Sequence, residues 1–283
     1  MYELKTSDIV TMTISRYGTV YVSVPCIIPH GSMGYSIEEC PISPHISMEH
    51  RLSILGILGG DSVFLDPDKR WIVGASPSVS QIIPRTCHHC NSTLVTFGNQ
   101  LQCPSTTCGG RLLSRIKYFI SQDGCGVTEL ASIPDHIWKS LIETGCITSL
   151  ASLFSPYFHT DLAHISHIGD DKKARICSQL EYQRHMLYTY TTSATHGAFI
   201  ATLLQSLAIP GMTDRLVIVI VQAALSMAPG ENPLLVVAGC LQQPDLLLRY
   251  GAHPDDVTYL IRNVSPYYQQ ELTEITNIVY RLG

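Results

Sequence analysis

The chain has 283 residues, of which 45% are hydrophobic, and its formal net charge is −5. The apolar fraction is large enough to build buried cores, which excludes a disordered chain, and the length favours two or three domains. The negative charge leaves no overall basic footprint for nucleic acid, although one face can still be locally basic.

The sequence predicts no signal peptide and no membrane-spanning segment. Residues 1–5 lack the basic and apolar regions of a signal peptide, and the longest apolar runs, such as 216–221, are too short to span a bilayer. We therefore expect a soluble intracellular protein. The six cysteines outside the close pairs described below are expected to be small buried hydrophobic residues.

Short strand-forming runs fill the first eighty positions. Residues 11–24 contain two such runs, and Arg16, Tyr17 and Gly18 lie between them like the tip of a hairpin. Residues 25–44 are rich in turn-forming residues and favour no single element. Further runs at 50–58 (strand or short helix), 62–65, 71–73 and 81–83 predict a small β-barrel over residues 1–84, with a β-sandwich as the alternative.

Four cysteines follow in two close pairs with the spacing C-x2-C-x12-C-x4-C: Cys87, Cys90, Cys103 and Cys108. Four thiolates can surround one Zn²⁺ tetrahedrally, and the spacer has room for a short hairpin. Such zinc is structural, because four protein ligands leave no open position for water or substrate. We predict a four-cysteine zinc finger over residues 85–110. Two disulfides are the alternative, disfavoured because nothing marks the chain as secreted.

The hydrophobic period becomes helical after the cysteines. One helical face carries the apolar residues of this segment: Leu112, Leu113, Ile116, Phe119 and Ile120. Arg111, Arg115 and Lys117 lie mostly off that face. They predict either a basic ridge that faces a phosphate backbone or an ordinary solvated face.

The remainder of the chain predicts helices separated by short turns. Their expected first residues are Pro134, Asp171, Phe199, Asp214, Pro233, Pro244, Pro254 and Pro266. Two turns contain a glycine, Gly169 and Gly211, and have the layout of a helix-hairpin-helix, in which backbone N–H groups face a phosphate. A plain structural turn is the alternative, because any helical hairpin can carry one glycine.

This order of elements resembles the bacterial NAD-dependent DNA ligases, over the segment that follows their nucleotidyltransferase domain. Residues 87–94 (CHHCNSTL) are similar to the family's C-P-x-C-G-S-x-L, and residues 101–123 and 141–154 are similar to its next motifs. Upstream, residues 16–18 match the R-T-G of the family's OB-fold, and residues 60–63 match its G-D-x-V. The hairpin turns depart from the family, because each keeps at most one of the two usual glycines.

The resemblance implies a multidomain α+β chain: a small OB-type β-barrel (1–84), a zinc finger with four cysteine ligands (85–110) and an all-α helix-hairpin-helix domain (111–283). It also implies contacts with nicked double-stranded DNA. The residues expected to make them are Arg16, Arg111, Arg115, Lys117, Gly169, Lys172, Lys173, Arg175 and Gly211.

The family's nucleophile is a lysine in a K-x-D-G motif, and none of the six lysines stands in one. The resemblance therefore implies no catalytic residue here and no bound NAD. Since the chain begins with Met near the expected domain junction, we expect one subunit of a split ligase in a bacterial or phage-infected cytoplasm, with a separate nucleotidyltransferase subunit and no membrane partner. The alternatives are a stand-alone zinc-stabilised nucleic-acid-binding module and a structural adaptor without a catalytic partner.

Overall fold

The fold is known from a computed structural model. It describes residues 2–6, 11–29, 35–43, 45–46, 54, 57, 59–66, 68–69, 71–76, 85–97, 100–126, 128–165, 168–191, 197–227, 233–243, 245–264 and 266–280. The chain divides into two compact units, Met1–Gly110 and Arg111–Gly283, each with its own hydrophobic core.

The first unit is built from short antiparallel strands. In chain order they are β1 (Tyr2–Lys5), β2 (Thr11–Ile14), β3 (Val20–Ser23), β4 (Pro25–Pro29), β5 (Tyr35–Glu39), β6 (Ser62–Leu65), β7 (Ile72–Ser76), β8 (Val95–Phe97) and β9 (Gln100–Gln102). Strands β1, β6 and β7 form one sheet in the order β1-β6-β7, and the pairs β2-β3, β4-β5 and β8-β9 form two-stranded sheets.

The predicted β-barrel is confirmed only as a set of small sheets. Within the described residues these sheets do not close into a barrel, so the OB-type closure stays a prediction. The predicted runs at 62–65 and 71–73 correspond to β6 and β7. The run at 81–83, and that at 50–58 except Ile54 and Ile57, lie outside the described residues; both of those isoleucines are buried.

The hairpin expected at residues 11–24 is confirmed. Strands β2 and β3 pair from Thr11 opposite Ser23 to Ile14 opposite Val20, and Gly18 lies at the tip with a φ of 87°. This left-handed conformation favours glycine because it has no Cβ. The tip is also joined to the cysteine segment, since the Cys103 N–H donates to the Gly18 carbonyl at 2.8 Å.

The second unit is helical. In chain order its elements are α1 (Gly109–Ile120, beginning in the last residues of the first unit), α2 (Thr128–Ala131), α3 (Asp135–Glu143), a 3-10 helix (Leu150–Phe154), α4 (Phe158–Ala163), α5 (Asp170–Thr191), α6 (Gly197–Ser206), α7 (Asp214–Met227), α8 (Pro233–Gln242), α9 (Leu246–Arg249), α10 (Pro254–Asn263) and α11 (Pro266–Tyr280). Among the described residues, no helix combines the length and apolar content needed to cross a bilayer.

Local sequence signals set most of these helix boundaries. Pro254 occupies the first turn of α10, and the His253 side chain accepts the Asp255 N–H as an N-cap. Helix α3 ends at Glu143, and Gly145 follows with a φ of 76°, as a C-terminal glycine should. The five apolar residues predicted on one face of α1 are all buried.

Helix α11 organises the second unit because it packs against α8, α5 and the 3-10 helix. Its Glu271 is buried and accepts the Leu150 N–H at 2.7 Å, at the start of the 3-10 helix. Glu271 also forms an ion pair with Arg115 of α1, whose Nη2 donates to the Leu207 carbonyl at 2.8 Å. One buried pair thus joins α1, α11, the 3-10 helix and the turn after α6.

Gly124 lies in a close backbone approach at the end of α1. A Cβ at this position would stand 2.2 Å from the Tyr118 carbonyl oxygen and 2.7 Å from that of Phe119. We expect Gly124→Ala to lower the free energy of unfolding of the helical unit by about 1–3 kcal/mol, because backbone must move. Urea unfolding followed by far-UV circular dichroism measures the change.

The matched control for this substitution is Gly239→Ala. Gly239 lies inside α8 with nothing within 4 Å of an added Cβ. Alanine there should raise stability by up to about 1 kcal/mol, because it reduces the freedom of the unfolded chain. Equal effects of the two substitutions would contradict the tight contact at Gly124.

Candidate metal centre

Two tight turns bring the four cysteines together. In the first, the Cys87 N–H donates to the Ser92 carbonyl at 2.9 Å and the Asn91 N–H donates to the Cys87 carbonyl at 2.8 Å. Asn91 has a φ of 56°, a left-handed conformation that asparagine tolerates better than most residues. The hairpin β8-β9 then carries the chain back, as the spacer length predicts, and places Cys103 directly after β9.

The four sulfur atoms form one cluster. Cys87 Sγ lies 3.7 Å from Cys108 Sγ, Cys90 Sγ lies 3.5 Å from Cys103 Sγ, and all four sulfurs lie within 4.8 Å of one another. Sulfurs placed ~2.3 Å from a tetrahedral metal ion stand about 3.8 Å apart, so these separations fit a single ion. A disulfide requires about 2.05 Å, and all ten cysteines of the chain are free thiols.

Most of the cysteine cluster is shielded from solvent. Cys87, Cys103 and Cys108 are buried and Cys90 is half-buried. Burial raises the pKa of the Cys103 thiol. Burial also opposes ionisation of Cys90, but hydrogen bonds with Ser92, Cys103 and Cys87 together outweigh it and lower the pKa of Cys90 to about 6. Four thiolates this close repel one another, so a cation is needed to stabilise them together.

The four cysteines are therefore close enough to bind a metal ion, and their number would fill a tetrahedral shell. Soft thiolate donors in this geometry suit Zn²⁺, and a filled shell suits a structural rather than a catalytic site. His88 and His89 lie outside the cluster: both are exposed, and their rings face one another at 4.0 Å. The His89 ring packs on Gly110, where a Cβ would come within 2.0 Å of the ring.

Two of the three residues of the predicted basic ridge on α1 are buried, which does not fit a solvent-facing ridge, and DNA contact by these residues stays a prediction. Arg111 and Arg115 are buried, and their guanidinium groups lie 5.8 Å and 4.8 Å from the Tyr268 ring. Arg115 is held by Glu271 and cannot reach a phosphate without leaving that ion pair. Only Lys117 of the three is exposed, and its Nζ lies 2.9 Å from an Asp135 carboxylate oxygen.

The signal that places Arg115 inside was present in the sequence. Position 115 follows Leu112 by three and precedes Phe119 by four, so it belongs to the edge of the apolar face. Position 111 precedes 115 by four and shares that edge. The sequence does not predict that Glu271 is the partner of Arg115, because Glu271 is 156 positions further along the chain.

The other residues predicted to contact DNA lie in three places. Arg16 is half-buried in the β2-β3 turn, with its guanidinium 4.8 Å from the Tyr17 ring. Gly211, with a φ of 87°, lies in the turn between α6 and α7. Gly169 is exposed just before α5, and the side chains that follow it in the first turns of this helix are Lys172, Lys173 and Arg175.

Helix α5 follows α4 along the chain, and Gly169 immediately precedes it. The Gly169 carbonyl accepts the N–H groups of Lys172 and Lys173 at 3.0 Å and 3.1 Å. Lys173 is already engaged, because its Nζ donates to the Ala163 carbonyl at 3.0 Å and lies 3.7 Å from Asp170. Lys172 and Arg175 are exposed. DNA contact at these positions stays a prediction.

The chain matches no protein-family model and no curated protein. The fold and the site define the class of this protein: a mixed α/β chain with a four-cysteine cluster that is close enough to bind a metal ion.

Proposed function

We propose that this chain is the DNA-binding subunit of an NAD-dependent DNA ligase, with a structural zinc ion held by Cys87, Cys90, Cys103 and Cys108. A separate nucleotidyltransferase chain supplies the adenylated lysine and uses NAD. The observation that carries the proposal is the convergence of the four sulfurs within 4.8 Å, in the spacing that resembles the ligase family. The helices of the second unit follow the cysteines in the chain, which is the order that the resemblance implies.

The DNA-binding surface that we assign to the helical unit is the beginning of α5. Gly169 is exposed there, and Lys172 and Arg175 extend from the next helical turn. The N-terminal end of a 22-residue helix favours a phosphate through its dipole and its backbone N–H groups, although Asp170 and Asp171 in the same first turn are exposed and oppose an anion. We assign Gly211, in the α6–α7 turn, the same phosphate-binding role. We assign Arg16, in an OB-type first unit, a contact with the DNA backbone.

The chemical contribution of this subunit is positioning. Nick sealing requires the 3′-hydroxyl to attack the adenylated 5′-phosphate in line, and holding both ends of the nick turns this into an effectively unimolecular step. No residue of this chain needs to take up or donate a proton in that step. The zinc ion stabilises the protein fold and does not contact the reacting atoms.

The experiment that tests this function is reconstitution of nick sealing. The partner to be tested is a nucleotidyltransferase that carries the K-x-D-G motif and co-purifies with this chain, and the substrate is a fluorescein-labelled nicked duplex with NAD. We expect the partner alone to form its lysine adenylate, and both chains together to be needed for sealing. Sealing by the partner alone at the full rate would contradict the proposal.

A variant of the α5 surface makes the test specific. We expect Lys172→Ala combined with Arg175→Ala to weaken sealing at least about tenfold while adenylation of the partner is unchanged. The matched control is Lys139→Ala, an exposed lysine of α3 with no assigned role. In the wild-type chain, Lys172 and Arg175 would neutralise ~2 phosphates. The affinity of the wild-type chain for nicked duplex should therefore fall about tenfold for a fourfold rise in salt concentration.

A structural adaptor is the second candidate. Burial of Arg111 and Arg115 and the net charge of −5 favour it, because both reduce the cationic surface. The two candidates differ in one result: an adaptor gives no gel shift with nicked duplex, even when its partner is present.

A further inference from the structure

Ser92 makes three contacts in the first cysteine turn. Its carbonyl accepts the Cys87 N–H at 2.9 Å, its backbone N–H bonds to Cys90, and in the metal-free protein its hydroxyl oxygen accepts from the Cys90 thiol at 3.3 Å. The first two contacts belong to the backbone and would survive any side-chain change. Of the three, the hydroxyl contact alone depends on the identity of this residue.

Cys90 is the metal-ligating candidate that most needs such support. The other three sulfurs are buried, whereas Cys90 is half-buried. A half-buried side chain is less restricted by packing and can adopt other rotamers at lower cost. The contact between Cys90 Sγ and the Ser92 hydroxyl offsets this freedom.

The direction of the hydrogen bond follows from the chemistry of the bound state. A metal-bound thiolate carries no proton, so between Cys90 Sγ and the Ser92 hydroxyl only the hydroxyl can donate. Four thiolates around a divalent cation leave an excess negative charge of about two. A donated hydroxyl dipole reduces that excess at the sulfur that is nearest to solvent.

We propose that Ser92 is a positioning residue of the metal centre, whose hydroxyl donates to Cys90 Sγ and holds this sulfur at the ion. Supporting groups around the ligands of a metal site typically contribute a factor of about 10 to 100 in metal affinity. The inference depends on the metal site alone, so it is independent of whether the chain binds DNA.

The test compares Ser92→Ala and Ser92→Thr in the full-length chain. Each protein is stripped of metal and titrated with Zn²⁺ against a chromophoric chelator, and then with Co²⁺, whose sulfur-to-cobalt charge-transfer band reports the thiolates. We expect Ser92→Ala to weaken Zn²⁺ binding about tenfold and to move the band to longer wavelength, because the sulfur loses a hydrogen-bond donor. Ser92→Thr keeps the hydroxyl and should restore both properties.

Ser105→Ala is the matched control, because Ser105 lies in the other cysteine turn and its hydroxyl contacts Thr107 at 3.3 Å. It should leave affinity and spectrum unchanged. The proposal is overturned if Ser92→Ala keeps both the wild-type affinity and the wild-type band. It is also overturned if Ser92→Ala and Ser92→Thr lose affinity equally, since the hydroxyl would then not be responsible.

Discussion

Replacing Cys103 by serine is expected to abolish stoichiometric metal binding and to unfold the cysteine segment of the first unit. Cys103 is buried, and its backbone N–H joins β9 to the tip of the β2-β3 hairpin. Folding free energy in such sites comes largely from the metal, on the order of 10 kcal/mol at neutral pH. Since the turn at Cys87 and the turn at Cys108 would share this ion, we expect both to open.

Zinc content of the purified chain and the rate of limited proteolysis within residues 85–108 measure this effect. Wild-type protein should carry one zinc per chain and resist cleavage, and strong chelators should make it behave like Cys103→Ser. Cys240→Ser is the control, because Cys240 is buried in the helical unit and far along the chain from the cluster. A Cys103→Ser protein that retained one zinc per chain would show that the four sulfurs do not form the site.

The second large effect is expected at the buried ion pair of the helical unit. Glu271→Leu leaves the Arg115 guanidinium without its charge partner and the Leu150 N–H without its acceptor. Breaking a buried pair from one side costs about 3–5 kcal/mol, because the remaining charge stays desolvated. We therefore expect the helical unit to unfold at markedly lower urea concentration.

Two comparisons separate this explanation from a simple packing defect. The double variant Arg115→Met with Glu271→Leu should be more stable than Glu271→Leu alone, because no charge is then left buried. Lys117→Met breaks the neighbouring pair with Asp135, in which both side chains are about half exposed, and should cost less than about 1 kcal/mol. Equal losses for Lys117→Met and Glu271→Leu would refute the role given to burial.

The sequence was most informative where a signal is local. The spacing of the cysteines predicts that four sulfur atoms form one cluster. In the structure the sulfurs of Cys87, Cys90, Cys103 and Cys108 lie within 4.8 Å of one another. Proline near a helix start and glycine after a helix end act within one turn, and α3, α8, α10 and α11 begin within two residues of their predicted positions. The β2-β3 hairpin was predictable for the same reason.

The sequence was least informative where a partner is distant or where turn residues occur within strands. Residues 25–44 favour no single element in the sequence, yet they contain β4 and β5. Their prolines do not exclude a strand, because proline can stand at a strand end, as Pro25 and Pro29 do in β4. The role of Arg115 depends on Glu271, and no local pattern connects them. Short elements such as α2, α4 and the 3-10 helix were missed, because one or two turns give too little periodicity.

The most direct test of the central claim is single-turnover sealing of a nicked duplex whose 5′-phosphate is already adenylated. This substrate bypasses NAD and the partner's lysine, so the rate reports the positioning that we assign to this subunit. Adding the zinc-loaded chain to the nucleotidyltransferase should accelerate sealing at least about 100-fold, because small misplacements of the reacting ends cost that much. Equal sealing rates with and without this chain would contradict the account.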